Sequence, residues 1–213
     1  SILQATKLQD VEDLYRPYRQ KRRTRATIAE EKGLAPLAEV IFRQELTEGD
    51  VNVIAEPYVQ PEKGVESAAE AQAGALDIIA QWIADDPQIR SLVRSISEKE
   101  GCLTTGCRLA KDPSGELPLS KYELYYDFSE ELTRIPAHRI LAINRGEKEE
   151  VLRVTVTVPQ EKIIDAICQQ IIHNPHSLFA SMLRETCQDA YQRLLAPSIE
   201  RELRNQLTER AGA

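Results

Sequence analysis

The stretch from Ser67 to Asp85 constrains the fold most strongly, because its apolar residues recur at helical spacing over about five turns. Ser67 is followed three residues later by Glu70, a capping-box pattern that predicts where the helix begins. The apolar stripe consists of Ala75, Leu76, Ile79, Ala80 and Ile83. A stripe of this length must be buried against other elements, so we expect several helices around a shared core.

The rest of the chain supports this expectation. Leu8 to Tyr18 has helical spacing on one side, and Pro17 predicts that this helix ends or distorts near Tyr15. Thr24 is a predicted N-cap for a helix from Arg25 to Lys32, and Thr27 is the alternative cap for a shorter helix that begins at Ile28. Gly33 stands where a helix terminates in a left-handed residue. Similar patterns predict helices over residues 34–46, 87–101, 121–128, 159–174, 177–195 and 198–210.

One segment has a β pattern. His138–Asn144 is a short apolar run, and in Val151–Val158 the apolar residues alternate with polar ones. Gly146 lies between the two stretches, which is typical of a hairpin connection. The predicted fold class is therefore mainly α, a multi-helical scaffold with one small β-hairpin.

The expected domain organisation has four consecutive parts. Residues 1–105 form a helical region, and residues 106–120 form a mobile loop because Lys111–Pro118 is rich in turn-forming residues. Residues 121–197 hold helices and a β-hairpin near 139–158. Residues 198–213 form a last helix.

Composition limits the classes of protein. No apolar run reaches the ~18 residues that a membrane helix needs, and the first residues lack a signal-peptide pattern. The chain begins with Ser1 rather than methionine, so we expect a fragment of a larger protein. A net charge of −7 argues against a protein that coats nucleic acid with its whole surface. The four cysteines are expected to be reduced thiols in the cytoplasm.

Against this acidic background, five of the seven residues from 19 to 25 are basic. This basic segment consists of Arg19, Lys21, Arg22, Arg23 and Arg25. Arginine suits phosphate oxygens, so the segment is a candidate nucleic-acid surface. Two alternatives remain open, since the cations could pair with acidic neighbours or brace an adjoining domain. Those neighbours are Glu12, Asp13, Glu30 and Glu31.

The tyrosines before the basic segment, Tyr15 and Tyr18, lie on the apolar side of their helix. We therefore interpret them as core residues rather than as platforms for bases. Arg139, Arg145 and Arg153 lie on or near the predicted hairpin. They define either a second basic surface or a small sheet packed on helices, and the packed sheet is the preferred interpretation.

Residues for metal binding or catalysis do not form a recognisable pattern. His173 and His176 are three apart with Pro175 between them, so the helical pair of a zinc protease is not available. Cys102 and Cys107 have no second pair at matching spacing. Neither a phosphate-binding glycine loop nor a serine nucleophile motif is present. We expect no metal, no cofactor and no catalysis.

Three separated blocks resemble the Tex family of bacterial transcription accessory proteins. The first runs from Val11 to Ala29 and includes the sequence DLYRPYR and the basic segment. The second runs from Ile135 to Glu147, and the third, YQRLLAPSIERE, from Tyr191 to Glu202. The blocks follow the order that the family has and extend over most of the chain.

The resemblance implies a function and a context. Tex-like proteins are largely helical, and they combine an N-terminal helix-turn-helix region with a YqgF-like domain, helix-hairpin-helix motifs and an S1 domain. They act in transcription and bind nucleic acid. This chain is similar to the N-terminal region that precedes the YqgF-like domain, and 198–213 resembles the start of the family's long central helix. The implied partners are RNA or DNA, bound weakly, the remaining domains and RNA polymerase, in the cytoplasm and away from membranes. Where the family often has extra lysines, this chain has Asp112–Glu116.

Overall fold

A computed structural model describes residues 7–18 and 22–213. Helices dominate it, as the sequence predicts. In chain order they are α1 (Leu8–Tyr15), α2 (Arg25–Glu31), α3 (Ala35–Arg43), α4 (Val51–Ala55), α5 (Ala68–Asp85), α6 (Pro87–Glu100), α7 (Ala137–Lys148), α8 (Gln160–Ile171), α9 (Ala180–Asp189) and α10 (Ala196–Gly212). Short 3-10 turns cover Arg16–Tyr18, Glu56–Tyr58, Pro61–Lys63 and Glu123–Tyr125.

The strands form one three-stranded antiparallel sheet. They are β1 (Cys102–Cys107), β2 (Asp127–Glu131) and β3 (Leu152–Thr157), in the order β2-β1-β3. Thr104 lies opposite Ser129 on one side and Thr155 on the other. Buried and exposed residues alternate along β3, so one face of this strand packs inward.

The hairpin predicted near 139–158 is wrong, although the strand in its second half is confirmed. Residues 137–148, which include the predicted first strand, form the helix α7. The strand β3 therefore pairs with β1 and not with residues 138–144. A short apolar run does not distinguish a strand from a buried helix by periodicity alone. Pro136 directly precedes α7 in an extended conformation, and a helix begins readily after such a residue. Similarly, the helix predicted over 121–128 is only a 3-10 turn, and the chain then enters β2.

The chain forms two compact units that interleave along the sequence. Unit 1 contains residues 1–93 and 161–196, and unit 2 contains residues 94–160 and 197–213. The four consecutive parts predicted from the sequence do not include this interleaving. Segments that are far apart in sequence contact one another inside each unit. Within the described ranges, no helix is long and apolar enough to span a membrane.

Unit 1 is organised around α5, the helix with the strongest sequence pattern. Its neighbours are α2, α3, α4 and α9, and Ile78, Ile79 and Ile83 are fully or almost fully buried. The predicted cap is present, since Ser67 Oγ accepts a hydrogen bond from the Glu70 amide at 3.2 Å. The apolar stripe therefore has the partners that its length requires.

In unit 2, α7 packs on β3 through a glycine. A Cβ atom added to Gly146 would lie 2.6 Å from Leu152 Cδ1 and 3.2 Å from Tyr122 Cδ1. Real Cβ contacts are longer, so this position has no room for a side chain. Gly146 is therefore a packing residue inside a helix and not the turn residue that the hairpin required.

We expect Gly146→Val to lower the free energy of unfolding of unit 2 by about 1–3 kcal/mol, the usual cost of overpacking a core. Gly212→Val is the matched control, because no atom lies within 4 Å of a Cβ placed at this other helical glycine. Urea unfolding with hydrogen exchange of the β3 amides measures the difference. Equal midpoints for the two variants would contradict the packing role.

The chain remains helical through Pro197, which lies between the helices predicted over 177–195 and 198–210. Residues 190–195 form a π-helical segment that continues directly into α10. A proline has no amide hydrogen, and its ring clashes with the carbonyl four residues earlier in a regular helix. The wider π turn shifts hydrogen bonds to the fifth residue, so it accommodates this position.

Candidate nucleic-acid interface

The basic segment follows the 3-10 turn Arg16–Tyr18 in the sequence and ends at Arg25, the first residue of α2, in unit 1. Arg19 and Lys21 fall outside the described residues. Arg22, Arg23 and Arg25 are described, and all three are exposed. Three of the five predicted cations are therefore exposed on the surface of the described chain.

A capping box holds the backbone under these arginines. Thr27 N donates to Thr24 Oγ1 at 3.2 Å, and Thr24 N donates to Thr27 Oγ1 at 2.7 Å. Thr27 Oγ1 also contacts the Arg22 carbonyl at 3.4 Å. Gly33 ends the turn after α2 with φ +78°, so both predicted ends of this helix are confirmed. A fixed backbone reduces the conformational entropy that the arginines lose when they bind a ligand.

The arginines have weak acidic partners. Arg23 Nη2 lies 3.5 Å from Glu31 Oε2, but the two side chains are 73% and 60% exposed. Such a surface pair contributes only about 0–1 kcal/mol, so it does not prevent Arg23 from binding a phosphate. Arg22 has no carboxylate partner among residues 7–18 and 22–213.

Most of the pairing predicted with acidic neighbours does not occur in the described part of the chain. Asp13 is buried and pairs with Arg90, whose Nε donates to Asp13 Oδ1 at 3.0 Å. Glu12 accepts a hydrogen bond from Gln9 at 3.2 Å. Of the four acidic neighbours, Glu31 is the one with a described ion pair to this segment. Arg22 and Arg23 are therefore at most weakly neutralised.

Arg25 differs from the other two because it faces a carboxylate inside a cleft. Burial raises the pKa of Asp77 above its usual value, and the guanidinium groups of Arg193 and Arg25 partly oppose this shift. Arg193 also forms a two-point pair with Asp189, at 3.2 and 2.9 Å. Arg25 is thus tied more closely to the protein than Arg22 or Arg23.

Tyr15 is 53% exposed, so its assignment to the core is wrong. Although it lies on the side that the pattern marked as apolar, the ring is accessible at the end of α1. An exposed aromatic ring a few residues before a basic segment suits the stacking of an unpaired base. The side chain of Tyr18 lies outside the described part of the structure.

Lysines that we did not predict complete this surface. Lys32 follows Arg25 by seven residues and hence lies on the same side of the helical turns, and its Nζ reaches the Gly64 carbonyl at 3.2 Å. Lys63 lies close to Gly33. Helical spacing would have revealed Lys32, but no sequence pattern connects Lys63 with this region.

The arginines on or near the predicted hairpin have other surroundings. Arg139 pairs with Glu130 at 2.8 Å, and its guanidinium lies 5.7 Å from the ring centre of Phe128. Arg145 and Arg153 are exposed, and they belong to α7 and β3. Arg139 therefore supports the packed-sheet interpretation.

The third block connects elements within each unit. In unit 2, Glu202 accepts from Arg94 at 3.0 Å, and Glu200 Oε1 accepts from the Val156 amide at 3.0 Å. In unit 1, Arg193 links Asp189 to Asp77. The charged residues of this block thus take part in internal contacts.

The histidines and cysteines form no metal site within the described ranges, where no group of three or more suitable ligands is close enough. His173 instead contacts Gln44 and the Arg43 carbonyl, each at 3.1 Å. Burial raises the pKa of the Cys168 and Cys187 thiols, which lowers their reactivity.

Comparison with known proteins identifies related chains. Residues 47–213 match the model of a family described as Tex central region-like. An uncharacterized protein, YdcI, of Bacillus subtilis is 42% identical over 211 residues, which is 99% of this chain and 29% of that protein. The transcriptional accessory protein Tex of Neisseria gonorrhoeae is 32% identical over 206 residues, or 94% of this chain and 26% of that protein.

A human relative is named S1 RNA-binding domain-containing protein 1. It is 28% identical over 222 residues, which cover 99% of this chain and 22% of that protein. The chain thus spans less than a third of the length of these relatives. The matched family model covers most of the chain, including the second and third blocks. The chain belongs to the Tex family.

Proposed function

We propose that this chain is a non-enzymatic scaffold segment of a Tex-like transcription accessory protein and contributes weak, sequence-independent contacts to nucleic acid. The basic segment, Arg19, Lys21, Arg22, Arg23 and Arg25, provides these contacts. The observation that carries the proposal is the exposure of Arg22 and Arg23 with at most one weak acidic partner. Two relatives, named as a transcriptional accessory protein and an S1 RNA-binding domain protein, support this context.

Contacts of this kind position a nucleic acid without reading its sequence. Arginines bind phosphate oxygens, and each neutralised phosphate releases counterions, so affinity falls as salt rises. Tyr15 adds a ring on which an unpaired base can stack. We therefore propose a preference for flexible or single-stranded nucleic acid over a rigid duplex, acting in the cytoplasm where transcription occurs.

The charge-reversal variant Arg22→Glu/Arg23→Glu is expected to lower affinity at least tenfold at about 50 mM salt, because it replaces two phosphate contacts with two repulsions. Fluorescence anisotropy with single-stranded RNA and with duplex DNA, measured across a salt series, gives the affinity. Lys99→Glu/Lys148→Glu is the matched control, since it changes the net charge equally at two other exposed residues.

The result can reject the proposal in two ways. If the native chain does not bind at low salt, this region has no nucleic-acid role. If both double variants lose the same affinity, the effect comes from net charge and not from the basic segment.

A second candidate function is docking of the remaining domains of the full-length protein, or of RNA polymerase, without contact to nucleic acid. Leu8 is 77% exposed on α1, close in sequence to the basic segment, which favours a protein partner at this end of unit 1. In that case the chain binds nucleic acid poorly and unfolds at a higher urea concentration when the YqgF-like domain is added.

A further inference from the structure

Two left-handed glycine turns in unit 1 bring together lysines that are far apart in sequence. Gly33 has φ +78° and Gly64 has φ +80°. Lys63 Nζ lies 3.8 Å from the position of a Cβ atom on Gly33, and Lys32 Nζ lies 3.7 Å from the equivalent position on Gly64. The ammonium group of Lys63 thus lies over the Gly33 turn, which follows Lys32, and the ammonium group of Lys32 lies over the Gly64 turn, which follows Lys63.

This arrangement concentrates positive charge. Lys32 Nζ has one described hydrogen bond, to the Gly64 carbonyl, which does not neutralise it. Lys63 has no carboxylate partner among the described residues. Two ammonium groups held near each other repel, and a bound anion would convert this repulsion into attraction.

Carboxylates facing the same region have other partners. Glu70 and Asp77 line a cleft of about 330 Å³ together with Arg25, Lys32 and Gly64. Glu70 Oε2 accepts from the Glu66 amide at 2.7 Å, and Asp77 lies beside Arg193 and Arg25. Among the described residues neither carboxylate forms an ion pair with Lys32 or Lys63, so both lysines can bind an external anion.

The cations also follow one direction. Arg25 and Lys32 are separated by about 10 Å along α2, at 1.5 Å per residue. A strand of duplex DNA has one phosphate for about every 3.4 Å of helix axis, so this distance corresponds to a few nucleotides. Arg22 and Arg23 extend the row beyond the start of α2.

We propose that Lys32 and Lys63, together with Arg25, form a second phosphate-contact cluster that binds the sugar–phosphate backbone of the nucleic acid held by the basic segment. This inference rests on the proposed function and adds residues to its surface. The strand runs along α2 from Arg22 to the two glycine turns. Inorganic phosphate has the same chemistry but does not bridge the row, so it binds far more weakly.

The double variant Lys32→Ala/Lys63→Ala tests the cluster, with Lys99→Ala/Lys148→Ala as a charge-matched control. We expect five- to tenfold weaker binding of single-stranded RNA at about 50 mM salt and a salt slope smaller by about one to two. The control keeps the native slope. Competition with inorganic phosphate at constant ionic strength should not displace the RNA, and displacement at low millimolar phosphate would overturn the backbone assignment.

Failure of this inference differs from failure of the proposed function. In one outcome the native chain binds RNA, Arg22→Glu/Arg23→Glu does not, and Lys32→Ala/Lys63→Ala binds as tightly as its control. That outcome rejects only the second cluster. If the native chain does not bind, both are rejected.

A charge reversal separates binding from folding. Lys63→Glu replaces the repulsion with a pair to Lys32, so we expect a higher urea midpoint at low salt and weaker RNA binding in the same variant. A variant that merely fails to fold would lower both the urea midpoint and the RNA affinity. Unchanged RNA affinity, or a lower urea midpoint at low salt, would overturn the proposal.

Discussion

Asp13→Ala is expected to lower the free energy of unfolding of unit 1 by about 3–5 kcal/mol, the typical cost of removing one partner from a buried ion pair. Asp13 is 2% exposed and Arg90 is 1% exposed, and Arg90 Nε donates to Asp13 Oδ1 at 3.0 Å. Arg90 also donates to the Ala84 carbonyl at 3.3 Å. Without Asp13, the guanidinium remains buried and loses this carboxylate.

Urea unfolding followed by the fluorescence of Trp82 measures this loss, because Trp82 is the single tryptophan and lies in α5 of unit 1. Glu12→Ala is the matched control, since Glu12 is an exposed acid on the same helix. The double variant Asp13→Leu/Arg90→Leu should recover part of the stability, because it removes both charges. Similar midpoints for Asp13→Ala and Glu12→Ala would contradict the role of the pair.

This ion pair also affects the candidate interface. It attaches α1, which carries Tyr15, to the part of α6 that belongs to unit 1. The basic segment follows α1 directly in the chain. We therefore expect Asp13→Ala to weaken nucleic-acid binding as well, although Asp13 itself is buried.

The second large effect is expected at Gln44, where alanine should cost about 3–5 kcal/mol, because each buried polar group left unsatisfied costs about 1–3 kcal/mol. Gln44 is 1% exposed, and its Nε2 donates to the Ile171 carbonyl at 2.8 Å. Its Oε1 accepts from the amides of His173 at 3.1 Å and Asn174 at 3.3 Å. One side chain thus joins the end of α3 to the end of α8.

Gln170→Ala is the control for this change, since Gln170 is exposed on α8. Gln44 has φ +58°, a conformation that glycine adopts at lower cost. Gln44→Gly should consequently be about 1 kcal/mol less destabilising than Gln44→Ala. Trp82 fluorescence again reports the unfolding. If Gln44→Ala lowers the free energy of unfolding by less than Gln170→Ala does, the hydrogen bonds of Gln44 contribute nothing to stability.

The helix ends were predictable where side chains cap them locally. Thr24 and Gly33 mark α2, and Ser67 marks the start of α5, as expected from their neighbours in sequence. The part of the candidate site that is contiguous in sequence, Arg22 to Arg25, was predictable for the same reason. Tyr15 was misassigned because periodicity indicates a side of a helix but not whether another element covers it.

By itself, the sequence determined the helical class, the position of the strongest helix, the concentration of charge between residues 19 and 25 and the family. The first three depend on residues a few positions apart, whose hydrogen bonds and periodicity act locally, and the family follows from the residues of the three blocks themselves. The tertiary structure alone decided that residues 137–148 are helical, that β3 pairs with β1 and that Lys63 lies beside Lys32. Each of these depends on contacts between distant segments, where burial and close packing outweigh local preference.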